Sequence, residues 1–526
     1  MPAPAQLWED ADLPTRRLAG LALNPSVPES VLLRLLADAP LAARMVLCRD
    51  RVLPDAVVDA VIEHPDHRTR GFFARNPHVD PAQRARLVDD PEWLVRAHLA
   101  EGPAVDLPDR PRPLPDETVI HMIRTYDDDL QWTLYRHVSA ELRESLHSHP
   151  VAEVRRWGLG TFGSSSAEVR AAMLTDSDEG VREMARQRAR LEDPAWVESV
   201  LPDRPCHART DMLVNRALSR AVVDGVLATP VGKEDKAMIA GNPTLPPDAV
   251  IRLAADPDPE IRGRIARRAD LRPTERRALV ADPDPDVRRK VAHHADLGPA
   301  ERAALATDPD PDIRLAVSVH PGLSEEERAR IDYEVPRGGD FVRCRPAWTP
   351  QDSEAVRAYA LSEHPLLRRR AARYHLLPPE LVARLADDDD LGVRVLLAQN
   401  HPHAPAPLLL RSFVEYTGAE RAHLTARPDF PTEGLAAFAD HEDPAVRALA
   451  TRDPATGPTV VERLSRDPDP AVRAAAARHP NLPRPRLAEL LDDEELAHAA
   501  AANPALGPDT VRRLVEALGT AGSPAA

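Results

Sequence analysis

The residues best suited to chemistry in this chain are its histidines, its clustered aspartates and its arginines, and each group recurs at a fixed spacing. There are 20 histidines, with His293-His294 and the His401 to His403 triplet close enough in sequence to suggest a metal site. Several of them fall into two repeating slots. One lies six residues after the anchor position of a repeat, most often an arginine, where Asn24, Asn76, Asn242, His294, His320, Asn400, Asp453, His479 and Asn503 alternate. The other precedes a proline at unit ends, as at His64, His149 and His364. An amide replaces an imidazole as a helix-capping group but not as a metal ligand, so capping is the expectation and no metal site follows. Asp387 to Asp390 has the look of a cation site. It coincides with a helix start, where carboxylates favour the positive end of the dipole. Cys48, Cys206 and Cys344 are far apart and form no CxxC pair, which argues against a disulfide framework or a thiolate metal site. HExxH, GxSxG and GxxxxGK[ST] are all missing. No catalytic residue is named, no cofactor is expected, and the chain does not read as an enzyme.

The arginines and aspartates keep step with one another. Asp256, Asp282, Asp308 and Asp467 open a phrase whose arginine follows six residues later, at Arg262, Arg288, Arg314 and Arg473. Equal spacing of both charges favours a ladder of ion pairs between neighbouring units over a ribbon facing a ligand.

These residues sit on a regular frame. DPDPEIRGRIA begins at Asp256, DPDPDVRRKVA at Asp282 and DPDPDIRLAVS at Asp308, each 26 residues after the last, and DPDPAVRAAAA returns at Asp467. Arg44, Arg70 and Arg96 keep the same step, as do Arg368 with Arg394 and Arg447 with Arg473. A fixed period of this length means a supersecondary unit that must stack on its neighbours to bury its apolar face. Counting weaker units, the series from Leu18 to Ala497 gives about 19 repeats of about 26 residues.

Each repeat reads as two short helices. Asp258 offers an N-cap oxygen and Pro259 the first helical position, with Ile261, Ile265 and Ala266 on one face. The second helix opens with Leu-Pro, as in LPPDAVIRLAAD from Leu245, with Val250, Ile251, Leu253 and Ala254 apolar. No segment alternates with period two long enough for a sheet, so the class is all-α. The 55 prolines punctuate these helices and form no low-complexity tract.

D-P-D-P-x-V-R-x-x-x-A, followed by N/H-P-x-L-P and an L-A-x-D close, resembles the leucine-rich repeat variant family and, more loosely, HEAT repeats. The resemblance implies a right-handed α-solenoid of paired short helices, some of them 3₁₀, of the kind that mostly serves as a binding scaffold. Some variant-repeat proteins carry an N-terminal cysteine cluster for iron and sulfur. This chain lacks it, so no redox role carries over.

The register divides the chain into regular repeats at 1–100, a Pro-rich loop insertion at 101–117, degenerate repeats at 118–229, regular repeats at 230–332, an irregular insertion at 333–350, and C-terminal repeats with a cap helix at 351–526. The 333–350 insertion gathers Tyr333, Arg337, Arg343, Arg345 and Trp348 around Gly338-Gly339. Loops on a rigid scaffold carry binding residues, so these five are the candidate partner-binding set. The expected function is a non-catalytic protein-binding scaffold whose protein partner is unknown. The alternative is a DNA-binding HEAT-like solenoid, and a HEAT-like lyase stands third. A net charge of −16 counts against nucleic acid. All but three of the 68 basic residues are arginines, which fits a GC-rich coding bias. No apolar run approaches a membrane span and the first residues lack a signal-peptide pattern, so the expected location is cytoplasmic.

Overall fold

The structure is a computed structural model, and it describes residues 11–103, 112–126, 131–228, 233–336 and 353–516, with the side chains of Gln131, Trp132 and Arg136 excepted. Every regular element among these residues is a helix.

The repeat unit follows from its sequence. In the unit around Asp258, one helix spans Pro247–Ala254 and the next Pro259–Ile265. Proline stands at the start of both, where its missing N–H costs nothing. The Asp258 carboxylate accepts from the Glu260 N–H at 2.9 Å and so caps the second. Ile261, Ile265 and Ala266 are buried, as are Ala249, Val250 and Leu253. Ile251 is not part of that face: it is 41% exposed, because the helix turns it away and Ala249 takes the inward position. Helices of seven or eight residues do not persist alone in water, so stacking holds them. The 3₁₀ segments include Leu435–Phe438 and Ala448–Arg452.

The chain forms two compact units, one of residues 1–157 with 430–526 and the other of 158–429. In the first, one apolar core runs through both chain segments, from Leu18 and Leu47 to Leu464 and Ala500. Helix Leu13–Leu23 lies against helix Ala497–Ala501, so the last repeats stack directly beneath the first. The core of the second unit runs from Val197 through Leu253 and Val287 to Ile331.

Candidate functional site

The arginine phrase builds a ladder. Arg262 holds Asp282 with Nε at 2.7 Å and Nη2 at 2.9 Å. Arg288 holds Asp308 at 2.8 and 3.1 Å, and Arg447 holds Asp467 at 2.8 and 2.7 Å. The same fork joins Arg70 to Asp90 and Arg368 to Asp388. The third guanidinium nitrogen turns back to its own turn, as Arg262 Nη1 does to the carbonyls of Asp256 at 2.8 Å and Pro257 at 3.0 Å. Each aspartate also accepts an N–H two residues on, Asp284 to Asp282 at 2.9 Å. Burial opposes the Asp282 charge, but Arg262, that N–H and Arg288 together hold its carboxyl below the ordinary value. Arg262 is pushed up in turn, chiefly by its hydrogen bonds to Asp282.

The ladder changes partners where the spacing changes. At unchanged spacing Lys236 stands in for the arginine and reaches Asp256 at 3.3 Å. Arg314 reaches the Asp332 carbonyl at 2.6 Å and its carboxylate at 3.4 Å, since the next repeat phrase is displaced there. Arg473 takes the Glu495 carboxylate at 2.6 and 2.8 Å.

The slot six residues past each arginine links repeats as well. Asn76 Nδ2 donates to the carbonyls of Cys48 at 2.7 Å and Arg51 at 2.9 Å, while its oxygen accepts from His78 N. Asn242 does the same toward Leu213 and Arg216, at 2.9 and 2.8 Å. These are carbonyls at the C-terminal end of the preceding unit's helix, which have no partner within that helix. His320 is a chemical copy of this arrangement. Its Nδ1 accepts from Gly322 N at 3.0 Å, so Nε2 carries the proton and donates to His294 and Ala295 carbonyls at 3.1 Å each. Asp453 reverses the polarity and accepts from Leu435 N at 2.9 Å and Ala436 N at 3.3 Å.

One slot assignment is corrected. The helix Leu391–Asn400 runs a residue further than its counterparts, and Asn400 bonds its own Leu396 carbonyl at 2.7 Å. His401 takes the turn position instead, accepting from His403 N at 3.2 Å. Sequence reasoning also missed Arg268 and Arg427, which fill the slot and donate to Asn242 and His401 carbonyls. Their six-residue offset from Arg262 and Arg421 was the available signal. Arg51 performs the same task one residue late, on Ala22 at 2.7 Å.

The clustered chemistry resolves the same way. Of the four consecutive aspartates, Asp388 takes Arg368, while Asp390 caps the next helix through Val393 N at 3.0 Å and pairs with Arg369 at 2.6 Å. No group of three or more His, Cys, Asp or Glu placed to hold a metal ion occurs among the described residues. The pair closest to a nucleophile and base is buried Ser318 with His364, 2.8 Å apart. His364 Nδ1 accepts from Leu366 N at 3.1 Å, so the Nε2 facing Ser318 bears the proton. Burial, then Arg328, Arg370 and Arg368, push that imidazole down to about 3. The serine hydroxyl points to the Leu315 carbonyl at 2.7 Å. An imidazole that donates cannot accept the serine proton, so this pair is a structural link.

Of the candidate partner-binding set, Tyr333 is half-buried, its ring stacked on His364 with centroids 4.4 Å apart. Arg337, Arg343, Arg345 and Trp348 lie outside the described residues. Tyr135 and Trp157 meet at 5.6 Å, and Trp196 packs against the core of its unit, so these aromatics serve packing. Among the described residues no helix is long and apolar enough to cross a membrane.

The leucine rich repeat variant family model matches residues 470–495, the unit of helices Pro470–Ala477 and Arg484–Leu491. The chain is thus an all-helical repeat array resembling that family, with one unit matched outright. No curated protein matches it. Among solved structures it is similar to Kap121p bound to Ste12p, at 12% identity over 94% of this chain and 55% of that one, with a TM-score of 0.19. A substituted form of Kap121p follows at 11% identity, covering 98% and 52%, TM-score 0.17. An engineered protein gives 16% identity over 97% and 98%, TM-score 0.09. The chain spans about half the length of the two Kap121p chains. With TM-scores this low, the fold rests on the repeat geometry and the family match.

Proposed function

We propose that this chain is a non-catalytic scaffold that binds protein partners along its array, with 333–350 as its first contact segment. One observation carries the reading. The arginines, aspartates, asparagines and histidines of the repeat phrase are engaged in tying repeats together, as in Arg262–Asp282 and Asn242–Leu213. Recognition then falls to the positions between them and to the insertion holding Tyr333, Arg337, Arg343, Arg345 and Trp348. A long surface with a few aromatic and arginine anchors concentrates binding energy in those anchors. The DNA-binding alternative has only the abundance of arginine behind it, and the guanidiniums of the ladder are occupied by carboxylates.

The test is affinity capture from the protein's own cell extract, read by mass spectrometry, with a second bait carrying Arg343→Ala, Arg345→Ala and Trp348→Ala. A protein held by the first bait and lost by the second supports the scaffold and the segment together. Recovery that disappears on nuclease treatment would move the DNA reading ahead.

A further inference from the structure

One face of the first helix in successive repeats of the second unit carries a graded row. At steps of 26 residues stand Met212, Met238, Arg264 and Lys290, on the helices His207–Asn215, Lys233–Ala240, Pro259–Ile265 and Pro285–Val291. Three residues further on, in the turns just past the ends of the last two helices, lie Arg267 and His293, both exposed. The two methionines are half-buried against the core, each leaving part of its side chain open to solvent. The cations at the other end are not neutralised in kind. Arg264 has Glu260 at 3.3 Å, but Arg267 and Lys290 enter no ion pair among the described residues. Lys290 extends along the neighbouring helix, where a Cβ at Gly263 would lie 2.6 Å from its Nζ.

We infer that this row is a docking face for an extended peptide that places apolar side chains over Met212 and Met238 and carboxylates over Arg267 and Lys290. Methionine suits the first half, since its flexible thioether adapts to varied apolar shapes. Charge complementarity fixes the second half and the direction of the peptide, because a reversed peptide sets carboxylates on the methionines and beside Asp211. Packed helices lie about 8–10 Å apart, and a chain in the extended polyproline II conformation brings every third side chain to one face at about 3.1 Å per residue, so one repeat matches three residues. The fitting pattern is apolar at positions i and i+3, acidic at i+6 and i+9.

The inference rests on the scaffold reading and names the chemistry of a second contact surface, distinct from 333–350. Fluorescence anisotropy of a labelled peptide, Leu-Gly-Ser-Leu-Gly-Ser-Glu-Gly-Ser-Glu, and of its reverse, on the full chain tests it. One of the two should bind more tightly than about 100 μM. Arg267→Glu with Lys290→Glu, checked as folded by its circular dichroism melt, should weaken it about tenfold or more and should bind a lysine-for-glutamate peptide instead. Met238→Leu, which keeps the core contact, should weaken it less than Met238→Ser does, with each variant's fold checked by its circular dichroism melt. Equal affinity for the wild type and the charge-reversed variant overturns the site, as does failure of both peptides, or binding of oligo-dT that depends on the same two residues. A partner captured from extract but held equally by the charge-reversed bait overturns this face alone and leaves the scaffold standing.

Discussion

The Asn24 side-chain amide donates to the carbonyls of Ala501 at 3.0 Å and Asn503 at 2.7 Å, across nearly the whole length of the chain. Asn503 makes the same pair of bonds to Ala477 and His479, at 2.8 Å each. The first repeat therefore treats the last as its predecessor, and the stacking rule continues through the seam. Arg17 adds a bond to the Leu491 carbonyl at 2.6 Å. Within this unit the stacking face of the first repeat at that junction is covered by the last.

The seam should matter as much as any internal junction. Asn24→Ala should lower the melting temperature about as far as Asn76→Ala, since each strands two buried carbonyls. Gly20→Ala should do more, because a Cβ there would occupy the space of the His498 carbonyl oxygen and the Ala501 methyl. Differential scanning fluorimetry of the three variants checks both orders.

Helix starts should follow the cap. Asp469 accepts from Ala471 N at 2.9 Å and Val472 N at 3.1 Å, so Asp469→Ala should cost about 1 kcal/mol in urea unfolding while Asp469→Ser recovers most of it. Asp258→Ala should shift in the same direction.

Acid should loosen the array in a window set by histidine. Burial, with Arg302 and Arg328 adding to it, holds the His320 pKa below its usual value even though the His294 carbonyl favours the charged form. The unfolded chain therefore binds a proton that the native imidazole refuses. The stabilisation is complete above about pH 6.5 and is lost as pH falls from there toward the lowered native value. His320→Asn keeps the slot's bonding pattern without the titration. It should be close to neutral at about pH 7.5 and should lose less stability than wild type on going to about pH 5, measured by urea melts. Asp282, held below the ordinary carboxylate range, stays charged across that window and contributes no step there.

Much of the array was legible in the sequence because the physics is local and repeated. Aspartate before proline caps a helix wherever it occurs, and a 26-residue period admits few alternatives to stacked helices. The ladder was legible too, since Arg262 and Asp282 keep the offset that joins adjacent units. What escaped depended on long-range or one-residue effects. Nothing in the spacing of Asn24 distinguishes bonding to Asn503 from exposure at an array end. Asn400 and His401 compete for one slot, and the choice turns on where the helix stops. Ile251 and Ala249 likewise exchange faces through a small rotation that an apolar pattern does not specify. The binding set was least legible, because a side chain used once has no repeat to reveal its role.

The central claim is that the phrase residues act between repeats. It is tested most directly by a double-mutant cycle on Arg70 and Asp90, the guanidinium and carboxylate that meet at 2.6 and 2.9 Å with side chains 9% and 2% exposed. Arg70→Ala, Asp90→Asn and the double variant should show a coupling of about 2 kcal/mol in equilibrium unfolding. A coupling near zero, with the two single effects simply adding, would contradict the ladder as the device that joins these repeats.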